Sequence, residues 1–148
     1  MVSGQPNYCE FVEGELVLRY QATIPADVNA ISPVVDYVMD TAINMGCVEG
    51  KELEVETALR EALANAIVHG CKKDRDKQVQ LCVACDGTRG MLIVVRDQGE
   101  GFDASTLPNP TFGQNVFESH GRGIYLINQL MDSVRFERGG TEIHMLKK

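Results

Sequence analysis

"EALANAIVHG", residues 61–70, is the stretch on which the reading of this chain turns. It begins as a run of good helix formers and then sets Asn65 among alanines, four residues after Glu61 and four before His69. Asparagine inside a helix costs roughly half a kcal/mol relative to alanine, so its presence there asks for a reason. With Glu61 at zero and about 100° per residue, Asn65 falls at about 40° and His69 at about 80°. The apolar face (Val55, Leu59, Ala62, Leu63 and Ala66) is centred further round. Glu61 and Asn65 therefore project along one edge, a turn apart. A carboxylate beside an amide oxygen suits a general base and a hard-cation ligand. Mg²⁺ takes oxygen ligands, keeps most of its waters and often needs only one or two protein groups. A solvated helix edge would carry the same pattern, so the segment alone leaves both readings open.

The neighbouring sequence frames this helix. Its pattern runs from about Lys51 to Val68, with Gly70 placed to end it. Upstream, residues 1–13 form a loose lead-in of Gly, Pro and Asn, and residues 14–148 form one domain. "ELVLRYQATI" (15–24) alternates like a strand. Pro25 and Asp27 open a helix that reaches Gly46, with a kink or restart at Pro33. Downstream, "KKDRDK" (72–77) is a charged turn. "QVQLCVACD" (78–86) and "GMLIVVRD" (90–97) are strands joined through Gly87-Thr88-Arg89-Gly90. Residues 98–123 are rich in Gly, Pro, Ser and Asn, with a short helix expected after Asp103. A long irregular stretch inside a domain is more often functional than accidental. "IYLINQLMDSV" (124–134) is helical, and residues 133–147 close the chain as a hairpin turning at Gly139-Gly140. The order predicts an α/β two-layer sandwich, a mixed and mostly antiparallel sheet with helices on one face.

Composition narrows the function. A chain of 148 residues, 44% hydrophobic and 24% charged, is globular rather than disordered. Its formal net charge of −7 disfavours a direct nucleic-acid partner. Any phosphate ligand must then be held by local features, not by a global positive field. The five cysteines are an odd number, and reduced thiols in a cytoplasmic protein are expected. Cys82-Val-Ala-Cys85 has redox or zinc spacing, but it lies in a strand pattern with no second pair, and a packing role is expected. Residues 1–14 lack a signal-peptide pattern, and no apolar run is long enough to span a bilayer, so no membrane role is expected.

Two other places could carry chemistry. In "VRDQGEGFD" (95–103), Asp97 ends a strand and Gly99 and Gly101 follow. A carboxylate there can accept a hydrogen bond from an exocyclic amine, and the glycines let backbone approach a flat ring. A plain strand-ending turn has the same composition. In "HGRGIYLI" (120–127), Gly121-Arg122-Gly123 leads into a helix, a ready anion site through free N–H groups and the helix dipole. A tight loop is the alternative, with Arg122 merely facing solvent.

The order and spacing of the three segments resemble the ATP-binding domain shared by gyrase, mismatch-repair ATPases and histidine kinases (the Bergerat fold). "EALANAIVHG" is similar to the family's N box, "DQGEGFD" to its G1 box and "HGRGIYLI" to its G2 box, and Thr141 in "GGTEIHM" stands where the family has a threonine near the adenine. Within the family the chain looks most like the stand-alone anti-sigma factor serine/threonine kinases. No histidine precedes His69, so an upstream phosphoacceptor helix is not expected, and a bulky Tyr125 is tolerated in that branch. The resemblance implies ATP and Mg²⁺ as cofactors. It implies that Asn65 holds Mg²⁺ and that Asp97 reads adenine, with Gly99, Gly101 and Phe102 of the G1 box and Thr141 around the base. Gly121, Arg122 and Gly123 would cradle phosphates, residues 104–120 would form a lid, and Glu61 would take the proton of the attacking hydroxyl. His69 is expected to pack at the helix end. The implied function is phosphorylation of a STAS-type anti-sigma factor antagonist together with binding of a sigma factor. A homodimer built through residues 10–45 is expected. Two alternatives stay open: a nucleotide-gated interaction switch with little turnover, and a detached histidine-kinase-like ATPase domain.

Overall fold

Alternating side chains set the layers. Every second residue of each strand points at the same helices, and the computed structural model, which describes residues 16–86, 90–99 and 119–148, shows which. The strands are β1 (Leu16–Pro25), β2 (Gln78–Asp86), β3 (Gly90–Asp97), β4 (Ser133–Glu137) and β5 (Glu142–Lys147). They form one five-stranded sheet in the order β1-β2-β3-β5-β4, and all four pairings are antiparallel. Leu81 and Val83 of β2, Ile93 and Val95 of β3, and Ile143 and Met145 of β5 meet the helices in the main core. A smaller buried cluster on the other face holds Cys82, Ala84, Leu92 and Val94.

The helices are α1 (Ile31–Asn44), α2 (Glu52–Ala64) and α3 (Ser119–Leu130). Leu59 and Leu63 of α2 and Ile127 of α3 are fully buried over the sheet. Each such side chain contributes about 1.5–3 kcal/mol of burial. Of the expected kink or restart near Pro33, the structure shows a restart, with α1 beginning at Ile31. A separate 3₁₀ turn, Val28–Ala30, is capped by Asp27 Oδ1, which accepts from the Asn29 amide at 2.9 Å. Pro33 is then the third residue of α1, where an amide has no intrahelical acceptor to lose.

Three expectations change. The second helix is α-helical only to Ala64, and Asn65–Gly70 form a π-helical turn in which the Cys71 amide donates to the Ala66 carbonyl at 2.8 Å. The last helix starts at Ser119 rather than 124 and ends at Leu130, because Ser133 already belongs to β4. The cysteines are not all reduced thiols: Cys47, after α1, is disulfide-bonded to Cys85 on β2, and Cys82 is also disulfide-bonded. Cys82 and Cys85 sit on opposite faces of β2, so their C-x-x-C spacing cannot act as one site. The expected loose lead-in, the Gly87-Thr88-Arg89 turn and the short helix after Asp103 lie outside the described residues. No described helix is long and apolar enough to cross a membrane.

Candidate functional site

The π turn is what builds the site. A π turn is rare, widens the helix and is found mostly at functional positions. Here it presents Asn65, Ala66, His69 and Gly70 on one side, where they wall a cavity of about 260 Å³. Asp97 and Thr141 close the cavity on the sheet side, and Ile124 of α3 closes it from above. Its volume lies just below the roughly 300–1,000 Å³ usual for small-molecule sites, enough for a ring system with part of its substituent. A longer polar tail would have to leave the cavity.

Asp97 is the last residue of β3, and its amide donates to the Thr141 carbonyl at 2.8 Å, which ties the two together. Its Oδ1 accepts from the Gly99 amide at 2.7 Å. Burial pushes its carboxyl above the ordinary aspartate value, partly offset by that amide and by Lys77. Such a carboxylate is short of hydrogen-bond donors, as an acceptor for a ligand amine should be.

Two glycines make this packing possible. A Cβ on Gly70 would lie 2.5 Å from the Asp97 carboxyl, and one on Gly99 would run into the Gly70 carbonyl. Gly70 is the last residue of the helical segment, as expected, but not as a left-handed stop. It has no positive φ, and the turn is ended by Lys72 and Lys73, which both have positive φ. The missing side chain is needed for the close approach of β3.

Glu61 and Asn65 do converge, and their meeting point is Gly123 on α3. A Cβ there would lie 3.0 Å from both Glu61 Oε2 and Asn65 Nδ2 and 3.2 Å from Asn65 Oδ1. Both side chains are only half-buried, and Asn65 belongs to the cavity wall while Glu61 stands outside it. A carboxylate and an amide around one point, beside the start of a helix, suit a cation shared with an anionic ligand. Among the described residues no cluster of three or more His, Cys, Asp or Glu could enclose a metal by itself, so a cation here would need ligand oxygens as well.

Other expected residues fall as follows. Gly121 and Arg122 lie in the first turn of α3, not in a loop ahead of it, so their amides belong to the helix N-terminus. Gly101 and Phe102 lie outside the described residues, as does the expected lid except its last two residues, which start α3. His69, expected to pack at the helix end, stands in the last turn of the π segment and also lines the cavity. Phe136, Gly140 and Ile143 were not foreseen as lining residues. Phe136 and Ile143 are directly paired across β4 and β5, so the inward alternation of that hairpin was the signal available.

The sequence profile of the histidine kinase-like ATPase domain matches residues 24–147. The chain is 35% identical over 98 residues to the serine-protein kinase RsbW of Staphylococcus epidermidis, covering 61% of each chain. It is 25% identical over 131 residues to the serine-protein kinase RsbW of Bacillus subtilis (strain 168), covering 84% of this chain and 81% of that one. It is 28% identical over 99 residues to the anti-sigma F factor of Priestia megaterium, covering 64% of this chain and 67% of that one. Several of these matches thus span about three-fifths to two-thirds of the relative's length.

Proposed function

This chain belongs to the histidine kinase-like ATPase domain family, and from that premise we propose that it is a Mg²⁺-ATP-dependent serine protein kinase acting as an anti-sigma factor. Its substrate would be a STAS-type anti-sigma factor antagonist, and its other partner a sigma factor. The relatives named serine-protein kinase and anti-sigma F factor support this reading. The observation that carries it is the convergence of Glu61 and Asn65 on Gly123, next to a cavity backed by Asp97.

In this reading the cavity takes adenine, with its amine donating to Asp97 and Thr141 beside it. Gly99 and Gly70 let backbone and base approach closely. The triphosphate leaves the cavity toward Gly123 and the first turn of α3, where Gly121 and Arg122 supply backbone donors at the positive end of the helix. Asn65 would hold Mg²⁺ with the phosphate oxygens, and the ion would neutralise their charge. Glu61 orients the serine hydroxyl and takes its proton as the oxygen bonds to the γ-phosphorus and ADP leaves. Phosphoryl transfer depends mainly on positioning and charge stabilisation, so Glu61 needs placement more than unusual basicity. The protein would act in the cytoplasm as a homodimer.

The test is transfer from γ-labelled ATP to the antagonist. Glu61→Ala should retain nucleotide and lose about 10²–10⁴-fold in transfer. Asn65→Ala should keep the fold and lose Mg²⁺-ATP binding. Undiminished transfer in Glu61→Ala would remove the base. Absence of transfer by the unaltered protein with ATP bound, but with partner affinity still set by nucleotide, would favour the gated switch.

A further inference from the structure

Away from the cavity, the α1–α2 pair leaves large apolar side chains in water. Leu53 is 78% exposed, Ile43 49% and Met45 45%. Single exposed hydrophobes are ordinary; their placement together is not.

The cross-helix contacts of Arg60 define the register. Its Nη1 donates to Ser32 Oγ at 3.2 Å, and its Nη2 lies 3.5 Å from Asp36 Oδ1. On its own helix its Nε donates to Glu56 Oε2 at 3.2 Å. Arg60 near the end of α2 thus meets the start of α1, and the helices run antiparallel. Seven residues are about two helical turns. Leu53 stands seven before Arg60 and Ile43 seven after Asp36, so both lie about two turns along the same seam, on the stripes that Arg60 and Asp36 mark. The seam is strapped by ion pairs at one end and open and apolar at the other, where Met45 follows α1.

Its open end is mainly acidic, although Lys147 is ion-paired with Glu54, next to Leu53. Asp40 of α1 and Glu52 and Glu56 of α2 stand within one turn of Ile43 or Leu53, and Glu49 lies in the connection between the helices. Arg60 is committed to Asp36 and Glu56.

We propose that the groove between α1 and α2 docks a basic amphipathic helix of a partner protein. Its Leu, Ile or Met residues would cover Ile43, Met45 and Leu53, and its Lys and Arg residues would face Asp40, Glu49 and Glu52. This is helix-in-groove recognition with electrostatic complementarity. The acidic rim argues against the other occupants. A second copy would bring like charges together here, so the proposed homodimer would leave this end of residues 10–45 clear, and a nucleic acid or an anionic lipid surface would be repelled. The groove does not depend on the nucleotide reading, because it shares no residue with the cavity wall.

The probe is a fluorescein-labelled Lys/Leu amphipathic helix of roughly 18 residues, long enough to hold helical structure. Its counterpart carries Glu in place of every Lys. Fluorescence anisotropy at low salt should show binding of the Lys peptide alone, weakening as salt rises. Ile43→Ser with Leu53→Ser should weaken it about tenfold or more, as loss of apolar anchors does, and Asp40→Lys by a similar factor. Both apolar sites are exposed, and circular dichroism checks that the variants fold. Amide shift changes should centre on residues 40–56, and Asn65→Ala should leave peptide affinity unchanged. Equal binding of the Glu peptide, unchanged affinity in the double serine variant, or shifts confined to the cavity would each overturn the proposal. So would a sedimentation mass that falls to monomer on Leu53→Ser, because the occupant would then be a second copy.

Discussion

Gly123→Ala separates stability from function in one step. The new methyl would lie 3.0 Å from Glu61 Oε2 and from Asn65 Nδ2. Carbon contacts relax at about 3.5–4.0 Å, so the two side chains must retreat by about half an ångström or more. Both are the ends of flexible, half-buried side chains, so they can move without disturbing the core. Alanine is better than glycine inside a helix by about 0.8–1.0 kcal/mol, which offsets the low end of the roughly 1–3 kcal/mol cost of overpacking. Net stability should stay within about 1 kcal/mol, a Tm change of no more than about 2–4 °C for a chain of this size. The site is less forgiving. A 1 Å misplacement of a reacting group can cost about 10²-fold, so half that shift should cost about tenfold in transfer. Thermal melting and γ-labelled ATP transfer, run on the same preparation, give both readings. Undiminished binding and transfer would refute the idea that Glu61 and Asn65 act together at Gly123. A collapse in Tm would show that the contact is rigid packing rather than a movable pair.

Other outcomes follow from the same geometry. Gly99→Ala sets a methyl against the Gly70 carbonyl, a backbone clash that no rotamer relieves. It should cost about 1–3 kcal/mol, read by urea unfolding, and an unchanged midpoint would contradict the packing. Asp97 titrates above the ordinary aspartate value because it is buried. A carboxyl raised on folding contributes stability that is present below its unfolded pKa and lost as pH rises through the folded one. The ligand-accepting form is the ionised one, so adenosine affinity should fall on acidification at a higher pH than an ordinary aspartate would give. Using adenosine removes phosphate titration, and calorimetry that showed flat affinity down to the ordinary aspartate range would deny Asp97 the acceptor role. On the opposite sheet face, Glu142 accepts from Arg96 Nε at 2.6 Å and lies 2.7 Å from His144 Nε2. Burial opposes its ionisation, but His144 and Arg96 outweigh that and hold its carboxyl below the ordinary value. Its stabilisation is therefore complete above the unfolded pKa and lost as pH falls through the folded one. Glu142→Gln should cost about 1.5–3 kcal/mol at neutral pH by removing the charged acceptor that Arg96 and His144 share, and an unchanged unfolding midpoint would show the pair to be dispensable.

Much of the architecture was legible because it depends on periodicity. Alternation in 78–86, 90–97 and 133–147 reports which face is buried, and a turn of two or three residues forces antiparallel neighbours. The Glu61/Asn65 pair was legible for a similar local reason, since residues four apart share a helix edge. The cysteines were not. Reading Cys47 and Cys85 as thiols rested on count and composition, whereas their bond depends on how the α1–α2 connection meets β2, which joins residues 38 apart in sequence.

The sequence by itself determined the residue types of the site and their order along the chain. An amide and a carboxylate one turn apart, an aspartate closing a strand and glycines where backbone must come close are all local choices. Only the tertiary structure decided what these residues do to one another. It replaced the end of an α-helix with a π turn that swings His69 and Gly70 onto the cavity wall. It made Gly70, the last residue of that turn, the clearance for Asp97 as well, and turned Gly123 from a loop glycine into the point where Glu61 and Asn65 meet. Those outcomes depend on distances between segments far apart in sequence, set by packing β3 and α3 against α2. A local pattern carries no such distance.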